Sequence, residues 1–117
     1  MTGNAWLSKQ LRKHPGASQK VLSFIREFRE AGRTKDSEKA LERQFLSGYC
    51  YYFAVMLQDA FGGQFYLLKS KNHVVWSPDG FFFYDVSGCC NGTFAKSDLV
   101  LASKDRLKQY RKLQTYV

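Results

Sequence analysis

Apolar residues in the first half of the chain recur at helical spacing. Val21, Leu22, Phe24, Ile25 and Phe28 share one face over 18–31, and Gly32 follows where a helix C-cap favours glycine. Ahead of that helix, residues 1–16 are expected to be a poorly determined basic segment, with Lys9, Arg12, Lys13 and His14 close together and Pro15-Gly16 as punctuation. Asp36 or Ser37 is placed to cap a second, short helix carrying Leu41 and Phe45 on one side and ending near Ser47-Gly48. A third helix, over about 49–61, is apolar nearly all round through Phe53, Ala54, Val55, Met56, Leu57, Ala60 and Phe61. A helix with so little polar face is expected in the middle of a domain. Gly62-Gly63 ends it.

The period then changes to that of strands. Residues 64–69, 73–76 and 81–86 are β-prone, and Ser77-Pro78-Asp79-Gly80 reads as a tight turn joining the last two into a hairpin. Residues 87–93, rich in glycine and carrying Asn91, read as a loop. A final helix is predicted over 103–113, where Leu107, Tyr110 and Leu113 form a stripe against Lys104, Arg106, Lys108, Arg111 and Lys112. The pattern predicts one α+β domain over 17–117, with the third helix packed on a small antiparallel sheet and further helices at each end. No internal repeat or low-complexity tract interrupts it.

Composition agrees with a single domain. The chain has 117 residues, 44% of them hydrophobic and 16% aromatic, enough to bury one core without disulfide help. Its cysteines number three, and Cys89 and Cys90 are adjacent, a spacing that disfavours a mutual bond, so reduced thiols are expected. Adjacent cysteines are also poor tetrahedral ligands, and no matching Cys or His pair accompanies them, so no metal and no cofactor is expected. The start of the chain lacks a secretory signal, and no window approaches the ~20 apolar residues of a membrane span. A cytoplasmic location without membrane contact is therefore expected, and the sequence gives no indication of oligomeric state.

Charge is uneven. The net charge is +8, with ten Lys/Arg against five Asp/Glu in residues 1–43, two against three in residues 44–90, and six against two in residues 91–117. The basic flanks, represented by Arg12, Lys13, Lys104, Lys108, Arg111 and Lys112, are either a solvated face or an electrostatic footprint for nucleic acid or an acidic protein. No zinc finger, glycine-rich phosphate loop or RNA-binding aromatic signature is present, so sequence-specific recognition of DNA is unsupported.

The nearly neutral middle holds the candidate chemistry. Cys50 enters the third helix, near the partial positive charge of exposed N–H groups that favours a thiolate. His73 opens a strand that can face that helix end, and Asp85 lies near the end of the paired strand, where it can fix the imidazole. If Trp76 and Phe81 pair across the turn, His73 and Asp85 miss direct opposition by one residue. They are then diagonal neighbours, or a bulge realigns them. A cysteine on an apolar helix is most often a core residue, and what raises Cys50 above that is its company: Gln44, Gly48, His73 and Asp85.

The stretch Gln44-Phe-Leu-Ser-Gly-Tyr-Cys50-Tyr resembles the nucleophile region of papain-like cysteine peptidases, with Gln six residues before Cys, Gly two before it and an aromatic after it. The resemblance implies an oxyanion hole made by the Gln44 amide and the Cys50 N–H. The segment from His73 through Trp76-Ser-Pro-Asp-Gly to Tyr84-Asp85 resembles the transglutaminase-like branch of the same superfamily, which uses Asp at the third position. It is also similar to the short papain-fold toxin domains of bacteria. These relatives act on amide or thioester bonds as peptidases, amidases, deamidases or acyl transferases. The likeness covers residues 44–88 and implies a Cys50-His73-Asp85 triad acting on a protein or peptide substrate. The rival expectation is a non-catalytic basic protein of phage or mobile-element type that blocks a host protein or nucleic-acid complex by contact.

Overall fold

Two glycines divide the helical half of the chain from the strand half. The structure, a computed structural model, describes residues 2–31 and 50–103. In it the helices α1 (Thr2–Lys13), α2 (Gln19–Ala31) and α3 (Cys50–Phe61) precede the antiparallel strands β1 (Gln64–Leu68), β2 (His73–Ser77), β3 (Tyr84–Asp85), β4 (Gly88–Cys89) and β5 (Leu99–Ala102). The sheet order is β4-β3-β2-β1-β5, so this is an α+β fold with β2 at the centre. No helix of the described residues is long and apolar enough to cross a membrane.

Alternation along the strands divides the interior in two. Phe65, Val74, Trp76 and Tyr84 face the helices and join Leu22, Ile25, Phe53 and Leu57 in the main core. Leu68, Val75, Phe83 and Cys90 fill a smaller cluster with Tyr66, Phe94 and Leu99. On α3 the buried residues Cys50, Phe53, Ala54 and Leu57 repeat at helical spacing, while Asp59 and Ala60 are exposed. Helix α2 buries Val21, Leu22 and Ile25 as the periodicity predicts. Ser18 caps it: Val21 N–H donates to Ser18 Oγ at 3.2 Å, and Ser18 N–H donates to the Tyr84 hydroxyl at 2.8 Å. That second bond ties the start of α2 to β3.

The structure corrects four sequence expectations. The segment expected to be poorly determined is helix α1, which packs Trp6, Leu7 and Leu11 against the core. His14, grouped by the sequence with the cations of that basic segment, is buried at its end. The expected strand over 81–86 shrinks to Tyr84–Asp85, because side chains satisfy the backbone ahead of it. Asp79 Oδ1 accepts the N–H groups of Phe81 and Phe82 at 2.9 and 3.0 Å, and Asn91 Oδ1 accepts that of Phe83 at 2.8 Å. The expected loop over 87–93 contains β4, which pairs with β3 through Tyr84–Cys89 and Asp85–Gly88. Strand β5 is an addition. The helices expected near 36–48 and over 103–113 lie outside the described residues, apart from Ser103.

The turn after α3 depends on glycine. Gly62 and Gly63 have φ of 77° and 84°, and the Trp76 indole N–H donates to Gly62 O at 2.8 Å. A Cβ at Gly63 would lie 2.5 Å from Ser77 O and 3.0 Å from Pro78 Cα, whereas one at Gly62 meets nothing within 4 Å. Gly62→Ala is therefore expected to cost about 1 kcal/mol from backbone conformation alone. Gly63→Ala adds the clash and is expected to cost about 3 kcal/mol. Urea denaturation followed by tryptophan fluorescence measures both, and equal losses would contradict this packing.

Candidate active site

Cys50, His73 and Asp85 converge where the start of α3 meets β2 and β3. The buried stripe of α3 lays its first residue against β2, and Val74 N–H donates to Cys50 Sγ at 3.4 Å. His73 opens β2, and Asp85 closes β3. The strands pair through Trp76–Tyr84, not Trp76–Phe81, so the connection is three residues longer than the sequence suggests. Extending that register sets Asp85 opposite Val75, which leaves it diagonal to His73 on the same side of the sheet. No bulge is needed: His73 Nε2 and Asp85 Oδ2 lie 2.9 Å apart.

The pair is deeply placed, with His73 9% and Asp85 7% exposed. Asp85 Oδ1 accepts the Ser87 N–H at 2.9 Å and the Ser87 hydroxyl, so both carboxylate oxygens are occupied. His73 differs: its Nδ1 is buried with no partner at full hydrogen-bond geometry. With Nε2 committed to Asp85, Nδ1 is the nitrogen left for the Cys50 sulfur, whose hydrogen bond and charge both act on the ring.

Burial alone would lower the His73 pKa. The hydrogen bonds to Asp85 and Cys50, together with the charges of both, overcome burial and raise it from 6.5 to about 9. The raised pKa favours the imidazolium, in which Nε2–H donates to the Asp85 carboxylate as half of a buried ion pair.

The other cysteines stand apart from this arrangement. Burial pushes the Cys89 thiol up, aided by the charges of Asp85 and Asp79, and pushes Cys90 well up, aided by Asp85 and Cys89. Both are buried, and all three cysteines are free. Cys90 Sγ donates to Phe83 O at 3.2 Å. Cys50 itself is only 2% exposed.

Of the residues singled out from sequence, the structure brings Cys50, His73 and Asp85 together and exposes Arg12 and Lys13 at the end of α1. Gln44, Lys104, Lys108, Arg111 and Lys112 lie outside the described residues. Sequence reasoning missed Ser87. Its signal was the Asp-x-Ser spacing of 85–87, which allows a side-chain turn.

A group held above its ordinary pKa contributes stability that is complete below that value and lost as pH rises through the folded one. For His73 the window runs from 6.5 to about 9. Stability is expected to fall across it by on the order of 3 kcal/mol, and Asp85→Asn is expected to remove most of that slope. Urea midpoints on either side of the window test this, and a flat wild-type profile contradicts it.

No protein-family model, curated protein or solved structure matches the chain.

Proposed function

We propose that the chain is a cysteine-dependent enzyme acting on amide or thioester bonds of a protein or peptide, built on a papain/transglutaminase-like core. One observation carries this: a buried imidazole held by a carboxylate through one nitrogen, with the other nitrogen open beside a helix-start cysteine. The chain order of α3, β1, β2 and β3 follows the order of cysteine, histidine and aspartate elements that the resemblance implies. Free thiols suit a reducing compartment such as the cytoplasm.

In this mechanism the Cys50 sulfur, its proton held by His73, attacks the carbonyl carbon. A C–S bond forms, and the carbonyl electron pair moves to oxygen. The Cys50 N–H and, by the resemblance, the Gln44 amide receive that oxyanion. Collapse breaks the bond to the leaving nitrogen or sulfur, which takes the proton from His73 Nδ1. His73 then accepts a proton from water or an amine as it attacks the acyl group, and the sulfur departs. The products are those of hydrolysis, deamidation or transfer. Asp85 keeps the ring oriented throughout.

A second reading, contact without turnover, draws on two observations. The sulfur is closed off, and α1 displays Lys9, Arg12 and Lys13, all exposed, at a spacing that puts them on one face. Residues 1–26 contain no Asp or Glu at all, so no acid on α1 balances that face. Phosphate of a nucleic-acid backbone is the matching partner.

The catalytic reading predicts selective iodoacetamide labelling of Cys50 over Cys89 and Cys90 at mildly acidic pH, slowed at least about tenfold in His73→Ala. Equal, sluggish modification of all three contradicts it. The contact reading predicts salt-dependent binding of labelled single-stranded DNA in an anisotropy assay. Replacing Lys9, Arg12 and Lys13 by Gln should lower the log–log salt slope by roughly 2–3. Absence of binding at low salt removes it.

A further inference from the structure

We propose that Ser87 is a positioning residue that sets the Asp85 carboxylate for His73, an inference resting on the catalytic reading above. A carboxylate turns about a soft torsion, so directing Oδ2 at an imidazole requires a hold on Oδ1. Ser87 supplies that hold twice, through its N–H at 2.9 Å and through its hydroxyl. The N–H bond by itself closes the Asp85–Ser87 turn. The hydroxyl is surplus to the turn, and what it adds is a second, charge-assisted bond that fixes the carboxylate plane.

The hydroxyl can do this because the turn beneath it is pinned from both helices. Arg29 Nη1 donates to Val86 O at 2.9 Å, and Gln10 accepts the Cys89 N–H through Oε1 at 3.0 Å while Nε2 reaches Ser87 O at 3.4 Å. Gly88, with φ of 113°, makes room: a Cβ there would lie 2.6 Å from Gln10 Oε1. Helices α1 and α2 thus hold the turn, the turn holds Ser87, and Ser87 aims the acid at the ring that faces Cys50.

The test compares Ser87→Ala and Ser87→Thr with wild type in two measurements: the pH at which stability is lost through His73, and the rate of Cys50 alkylation. Ser87→Ala is expected to lower the proton affinity of His73 about fivefold and to slow alkylation by a similar factor, with near-UV circular dichroism unchanged. Ser87→Thr, which keeps the hydroxyl, is expected to restore both. Should Ser87→Ala fail to fold, Ser87→Gly lacks the hydroxyl equally and replaces it. A wild-type stability midpoint in the variant without the hydroxyl overturns the proposal. If wild-type alkylation proves independent of His73, the catalytic reading fails, while the stability midpoint still decides the role of Ser87.

Discussion

An ion pair shut inside a core of this size governs the rest of the structure. Removing an imidazolium and a carboxylate from water is costly, and their attraction compensates only when geometry is good and the remaining lone pairs and protons are satisfied. Asp85 meets that condition through His73 and Ser87. His73 meets it only in part, because Nδ1 has no partner at full hydrogen-bond geometry and is left to the Cys50 sulfur. Packed apolar residues would serve stability at least as well as such a pair.

The remainder of the fold can be followed outward from that pair. Diagonal placement on β2 and β3 requires the Trp76–Tyr84 register, and that register requires residues 78–83 to stay out of the sheet. Asp79 and Asn91 keep them out by bonding their N–H groups. The β3–β4 turn holds Ser87, and α1 and α2 fasten the turn from the far side. Gly62 and Gly63 bring α3 directly into β1, which lets its first residue lie against β2.

Much of this was legible in the sequence, and the misses share causes. Helix α2 carries a clear period because one side of it packs on the core, whereas α3 and β2 are legible as apolar runs, β2 because both of its faces are buried, and β1 as a β-prone run. Phe81, Phe82 and Phe83 looked like a strand because aromatic residues favour one, yet their backbone is satisfied by carboxylate and amide side chains, which no period reveals. In α1 the apolar set of Trp6, Leu7 and Leu11 was hidden among glycine and cations. The spacing of Cys50, His73 and Asp85 revealed the site's members but not its depth, because burial of a sulfur depends on what packs over it in three dimensions.

That depth sets the tension between catalysis and contact. The middle of the chain that carries Cys50, His73 and Asp85 is almost neutral and these residues are buried, whereas the exposed face of α1 is cationic. A catalytic role requires opening at Cys50, and a contact role requires none. Both accounts share the buried pair, and only the catalytic one uses the proton on it. The most direct test is a nitrogen NMR titration of the His73 imidazole in the wild-type protein. The account predicts a doubly protonated ring at neutral pH and a midpoint near 9. A neutral ring at that pH, titrating at or below the ordinary 6.5, would contradict it.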